Sequence, residues 1–138
     1  MHRRRFLTIT SAAALLPLAA TAIEPPIVFK PGLVAELLAE GKTVLVDFAT
    51  DWCPTCRAQE RTIKALRNKF PVYDQNITFV RLDWDFFSGA KVSRKHKIPR
   101  RSTLLLLRGE EELGRNVAGT SFNSIKRLLD LALDAPAT

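Results

Sequence analysis

Thr43-Val44-Leu45-Val46-Asp47-Phe48-Ala49-Thr50-Asp51-Trp52-Cys53-Pro54-Thr55-Cys56-Arg57 is the stretch whose character decides the architecture. Its first seven residues are nearly continuously apolar rather than alternating, the pattern of a strand covered on both faces. Asp47 is the one ionisable residue within that strand. After Cys53 the apolar period becomes helical, with Ile63, Leu66 and Phe70 on the inner face of a helix expected over about 53–69. The two cysteines therefore fall where a buried strand hands over to a helix N-terminus.

That placement suits thiol–disulfide exchange. The thiolate is the attacking species, and a free cysteine is only about 3% ionised at pH 7. Unpaired backbone N–H groups and the macrodipole at a helix N-terminus favour negative charge. Lowering the pKa to about 7 makes half the population reactive and is worth roughly 2 kcal/mol. Cys53, at the exposed edge of the turn, is expected to attack a partner disulfide, and Cys56, one turn further in, to resolve the mixed disulfide. Arg57 lies in the same first turn and is given a secondary part. Three other uses of the pair compete. A zinc site needs two more ligands, and His96 is the only other His or Cys beyond residue 22. Covalent haem attachment wants His after the second cysteine, where Arg57 stands. A purely structural disulfide would close too short a loop to stabilise much.

Working outward, Pro31 to Glu40 carries Leu33, Val34, Leu37 and Leu38 at helical spacing, with Gly41 just past its end. Ile27-Val28-Phe29 is a candidate edge strand. Ile77 to Trp84 reads as a strand, Ala90 to Lys97 as a short basic helix, and Thr103 to Leu107 as a second fully buried strand. Gly109-Glu110-Glu111 marks a tight turn, and Leu113 to Ala118 returns antiparallel. Ser121 to Leu133 closes the chain as a helix, with Ser121 or Thr120 as cap and Ile125, Leu128, Leu129, Ala132 and Leu133 on its apolar face. Strands alternating with helices predict an α/β three-layer sandwich: a mostly parallel central sheet, an antiparallel C-terminal hairpin, and helices on both faces.

The 138 residues suit one domain. Residues 1–22 are set apart as an export signal: Arg3, Arg4 and Arg5 precede an apolar run from Phe6 to Ala20, and Ala20-Thr21-Ala22 offers a cleavage site. The run Arg3-Arg4-Arg5-Phe6-Leu7 resembles a twin-arginine signal, with His2 and Thr8 departing from its usual flanks; the general secretory route is the alternative. An uncleaved membrane anchor is a further alternative, although the apolar run is short and Pro17 interrupts it. Cleavage leaves residues 23–138 as the working domain, in a bacterial periplasm. A domain of that size buries roughly 65% of its unfolded surface and needs no disulfide or metal to fold. The net charge drops from +7 to +4 without the three arginines, so the basic balance is partly a property of the signal and does not argue for nucleic acid.

These residues resemble the thioredoxin superfamily across nearly all of residues 23–138. The strand Thr43–Ala49, the Trp52-Cys53-Pro54-Thr55-Cys56 motif and the strand Thr103-Leu104-Leu105-Leu106-Leu107 before Gly109 match its landmarks in order. The longer string Asp51 to Arg57, with Glu60, looks closest to the C-terminal periplasmic domain of the DsbD thiol:disulfide interchange proteins, a reductase relay fed by a membrane electron transporter. The resemblance implies protein disulfides and dithiols as substrates, no cofactor or metal beyond the Cys53–Cys56 pair, a monomer, and a DsbD-type transporter as a possible electron donor. It also gives Asp47 the part of the buried carboxylate that accepts and returns the proton of the inner cysteine. Burial should raise its pKa, which suits acid–base work near neutrality. Arg81 falls where the family places a lysine beside that carboxylate. Trp52 is expected to pack beside the motif and shape its mouth, with Pro54 and Thr55 as the intervening residues.

One departure stands out. The family carries a cis-proline directly before the strand that begins here at Thr103, and Ser102 occupies that place in an ungapped reading. The nearest proline is Pro99, which a small insertion would restore to the site. Ser102 is the preferred occupant, trans or strained, since a cis bond before serine costs about 2.5–4 kcal/mol; its hydroxyl would then reach a sulfur. Lys91, Arg94, Lys95, Lys97, Arg100 and Arg101 crowd beside this rim, as a solvated helix face or a docking surface for an acidic partner or anionic membrane. The expected activity is disulfide exchange in the reducing direction. The alternatives are a disulfide-forming oxidase, for whose usual helical insertion the span from Trp84 to Ser102 leaves no room, and a non-catalytic binding module.

Overall fold

The computed structural model describes residues 14–15 and 22–134. The expected export signal, residues 1–22, lies almost wholly outside the described residues. Among the described residues no helix is long and apolar enough to cross a membrane.

Eleven elements follow Ile23–Pro26: β1 (Ile27–Val28), α1 (Leu33–Ala39), β2 (Thr43–Ala49), α2 (Pro54–Lys69), α3 (Val72–Asn76), β3 (Thr78–Asp83), α4 (Trp84–Phe87), α5 (Lys91–Lys95), β4 (Thr103–Arg108), β5 (Glu111–Val117) and α6 (Phe122–Asp134). The sheet order is β1-β3-β2-β4-β5. Strands β1, β3 and β2 run parallel, whereas β4 is antiparallel to β2 and β5 to β4. The sheet is thus mixed: its antiparallel part begins one strand earlier than the C-terminal hairpin, because β4 enters beside β2 from the opposite end. This matters for the site. The start of β4 lies level with the end of β2, as the pairing of Phe48 with Thr103 shows.

Every residue of β2 is buried, as continuous apolar sequence requires. Its alternate side chains feed two cores. Val44, Val46 and Phe48 pack with Leu33, Val34 and Leu37 of α1 and with Val80 and Leu82. Leu45 packs with Ile63 and Leu66 of α2, Tyr73 of α3, and Ile125, Leu128 and Leu129 of α6. Full burial of such side chains stabilises by about 1.5–3 kcal/mol each. Asp47 shares the parity of Leu45, so the strand's period of two turns its carboxyl toward α2.

Two short helices were not foreseen. Val72–Asn76 follows Pro71 and is anchored by Tyr73, which is 1% exposed and donates its hydroxyl to Asp130 at 2.5 Å. Trp84–Phe87 ends the strand one residue earlier than expected. Asp83 caps it by accepting the Asp85 N–H at 2.9 Å, and Trp84 packs edge-on against Phe48.

Candidate functional site

Cys53 is the N-cap of α2, with Pro54 as the first helical residue. This is favourable for both: an N-cap side chain accepts an orphan helix N–H, and proline at the first helical position has no N–H to lose. The acceptor here is sulfur, which takes the Cys56 backbone N–H at 3.2 Å. The helix's buried stripe is Cys56, Gln59, Ile63 and Leu66. Cys56 is fully buried, and both cysteines are free thiols.

Cys53 is only 1% exposed. This corrects the expectation of an open edge: the Ser102 Oγ and the Cys56 N–H both lie 3.2 Å from its sulfur. Burial alone would raise its pKa. Hydrogen bonds from the Cys56 side chain, the Ser102 hydroxyl, the Cys56 backbone N–H and Arg101 outweigh that and bring the thiol down to about 7. Cys56 moves the other way, raised by burial and by donating to Cys53.

Ser102 stands at the head of β4 against both sulfurs, with its Oγ 3.2 Å from Cys53 Sγ and 3.2 Å from Cys56 Sγ. No cis peptide bond occurs among the described residues. Ser102 instead has φ +65°, a left-handed conformation that costs a non-glycine residue of order 1 kcal/mol or more. Three hydrogen bonds hold it there. Its N–H donates to Phe48 O at 2.7 Å, and its carbonyl accepts from Ala118 N at 2.8 Å and from Gln59 Nε2 at 2.9 Å. Gln59 also donates to Gly119 O at 3.1 Å, tying α2 to the chain beyond β5. Pro99 is exposed, in the turn before Arg100, and takes no part.

Asp47 is 7% exposed, and its Oδ1 has no hydrogen-bond partner. Burial, reinforced by the Glu60 carboxylate, pushes its pKa up to about 7, against the opposing charge of Arg81. Arg81 sits across the sheet from Asp47 in register, but it does not bond to it. It binds Glu60 through Nε at 3.1 Å and Asp51 through Nη2 at 2.9 Å. Arg81 therefore acts on Asp47 through space, while the carboxylates of Glu60 and Asp51 hold its guanidinium. A cleft of about 410 Å³ lined by Asp47, Asp51, Glu60, Arg81, Ile23 and Pro26 opens beside this group.

Trp52 is 55% exposed, and its Nε1 donates to Asp85 Oδ2 at 2.9 Å, so α4 pins the indole at the mouth. Pro54 is exposed and Thr55 half-buried. Arg57 donates to Asp51 O at 3.2 Å, away from the sulfurs. Within the basic segment Lys95 pairs with Glu110 at 3.2 Å, while Arg101 turns back over the Trp52 ring, 4.3 Å from its centroid. Gln59 and Asp85 escape the sequence reading, and Arg101 enters it only as one of the basic residues beside the rim. Gln59 leaves a signal there: a polar residue three places after Cys56 on an otherwise apolar stripe.

No group of three or more His, Cys, Asp or Glu side chains able to hold a metal occurs among the described residues. A mixed sheet between helices, with a Cys-x-x-Cys pair at a helix mouth above a buried carboxylate, defines a dithiol protein of thioredoxin fold. The thioredoxin family profile matches residues 30–130, and the chain belongs to that family. It is 28% identical over 89 residues to thioredoxin H2-1 of rice, covering 64% of this chain and 59% of that one, so it spans about six tenths of that relative. It is 29% identical over 90 residues to thiol:disulfide interchange protein DsbD 2 of Pseudomonas aeruginosa, covering 62% of this chain but 15% of that protein. The crystal structure of Trxlp from Edwardsiella tarda is similar with a TM-score of 0.64 and 26% identity, over 74% of this chain and 97% of that one.

Proposed function

We propose that this chain exchanges dithiol for disulfide with protein partners, running in the reducing direction in an extracytoplasmic compartment. The observation that carries the reading is the Cys53 sulfur at the N-cap of α2, held by the Cys56 N–H and the Ser102 hydroxyl at 3.2 Å each. With a pKa of about 7, about half of it is thiolate at neutral pH. The Cys53 thiolate attacks one sulfur of the partner's disulfide. The partner S–S bond breaks, one partner thiolate leaves, and a mixed disulfide forms. Cys56 then gives its proton to the Asp47 carboxylate and attacks the Cys53 sulfur. The second partner thiolate leaves, and a Cys53–Cys56 disulfide remains. Two electrons have passed from the pair to the partner. Ser102, touching both sulfurs, stabilises whichever one carries charge.

The compartment rests on the Arg3-Arg4-Arg5 start and the Ala20-Thr21-Ala22 site. A membrane electron transporter of the DsbD type is the proposed donor that re-reduces the pair, and the domain acts as a monomer. Reduction of a protein disulfide such as insulin by the domain, under continuous re-reduction, tests the activity; Cys53→Ser must abolish it. Equilibration with glutathione tests direction: a reductant lies well below the potential of disulfide-forming oxidases, with 30 mV equal to about 1.4 kcal/mol.

A further inference from the structure

The residue before Ser102 is placed where a substrate must arrive. Arg101 lies with its guanidinium carbon 4.3 Å from the centroid of the Trp52 ring, near enough to the site to help lower the Cys53 pKa. The indole cannot swing freely, because Nε1 is tied to Asp85 at 2.9 Å. An aromatic face beneath a guanidinium helps to hold it in place. No carboxylate pairs with Arg101 among the described residues, whereas Arg67 and Arg115 each have one and Arg81 has two. Its Nε is enclosed and has no hydrogen-bond partner at all. An enclosed donor on a cation without an acceptor is a cost that an incoming anion removes.

We infer that Arg101 is a specificity-determining residue, selecting disulfides flanked by a carboxylate and holding that carboxylate at the mouth while Cys53 attacks. The inference rests on the exchange activity proposed above and names the chemistry of its partners: protein disulfides beside acidic residues. Cys53 is 1% exposed in the resting state, so the groups at the mouth have to shift for a partner sulfur to reach it. An anion next to that sulfur draws Arg101 aside and satisfies its free N–H at once. A neutral or cationic neighbour offers no such exchange. The fork geometry of arginine suits two carboxylate oxygens.

Two small aromatic disulfides separate this effect from simple thiolate stabilisation. Dithiobis(nitrobenzoate) carries a carboxylate on each ring, and dithiodipyridine is uncharged at neutral pH. Each oxidises the reduced pair by the same two steps: attack by Cys53 with loss of one aryl thiolate, then closure by Cys56 with loss of the other. A change in thiolate fraction scales both rates equally, so the ratio of the anionic to the neutral rate isolates recognition. Arg101→Met is expected to lower that ratio about tenfold, with Arg101→Lys in between and Lys91→Met within about twofold of the parent. The inference is overturned if the ratio stays put in Arg101→Met while both rates fall together. It is equally overturned if Lys91→Met lowers the ratio as much, which would make the effect a diffuse field of the basic segment. The exchange activity itself fails separately, if neither reagent reacts at Cys53 faster than with a free thiol in the unsubstituted protein. A far-ultraviolet circular dichroism spectrum and thermal unfolding transition matching the parent show that each variant is folded.

Discussion

Replacing Asp47 with Asn should stabilise the protein, and only above mildly acidic pH. The carboxyl is 7% exposed with an unpartnered Oδ1, and its pKa lies near 7 instead of 3.8. The folded state thus binds a proton that the unfolded chain releases. Between those two values stability falls as pH rises, and above about 7 the whole penalty is present. The shift corresponds to about 4 kcal/mol, as an order of magnitude. An amide of the same shape never ionises, so Asn and protonated Asp should be close to equal below the unfolded value. Urea unfolding of both proteins in reduced form, at about pH 4 and about pH 8, reads the difference. Ionisation of Cys53 also changes stability with pH, but it does so in both proteins and largely cancels. The expected outcome is near equality at the acid end and an advantage of several kcal/mol for Asp47→Asn at the alkaline end, or roughly 15 °C in Tm. A difference that does not change between the two pH values would refute the buried, proton-holding carboxylate. The same variant should slow resolution of the mixed disulfide, because Cys56 loses its proton acceptor.

Ser102→Pro should destabilise the fold by about 3 kcal/mol or more, because proline fixes φ near −65° and removes an N–H, whereas Ser102 has φ +65° and donates to Phe48 at 2.7 Å; chemical denaturation reads this directly. Ser102→Gly should hold or slightly raise stability, since glycine accepts the left-handed backbone, yet should raise the Cys53 pKa by removing a hydroxyl that favours the thiolate; the pH profile of iodoacetamide alkylation, with a midpoint near 7 in the parent, should move to higher pH. Gln59→Leu should cost about 1–3 kcal/mol by withdrawing a donor from two carbonyls, those of Ser102 and Gly119. Arg81→Met removes a charge that lowers the Asp47 pKa, so the pH at which the Asp47→Asn advantage levels off should rise.

The fold was legible where the sequence repeats one physical pattern over several residues. The strands Thr43–Ala49 and Thr103–Arg108 announce themselves because burial on both faces demands unbroken apolar sequence. The helix 54–69 does so through its stripe and the proline at its start. Val72–Asn76 and Trp84–Phe87 were missed because a helix of four or five residues is too short to show a period. The direction of β4 is not legible, because a continuous apolar strand looks the same from either end; its pairing with β2, from Phe48 with Thr103 to Thr43 with Arg108, fixes it. At the site, Cys53 and Cys56 are visible as a motif, and Asp47 as a charge in an apolar strand. Arg101 is not. Its role depends on folding back over Trp52, and in the sequence it is one of several neighbouring basic residues.

The hydroxyl at position 102 has a consequence that a proline would not. It lies 3.2 Å from both sulfurs, so it can donate to only one at a time. In the proposed exchange the negative charge sits first on Cys53, disappears as the mixed disulfide forms, and returns on Cys56 before resolution. A hydroxyl hydrogen follows that charge by rotating about one bond, with no movement of the oxygen. The oxygen itself is fixed, because Ser102 is held at its N–H by Phe48 and at its carbonyl by Ala118 and Gln59. The left-handed backbone is therefore the condition under which one rigid donor serves two sulfurs in turn. A substitution that strains the backbone but keeps a hydroxyl, or keeps the backbone but loses the hydroxyl, separates the two contributions. Ser102→Thr tests the first case: its extra methyl resists φ near +65°. It should therefore weaken stability while leaving a donor in place.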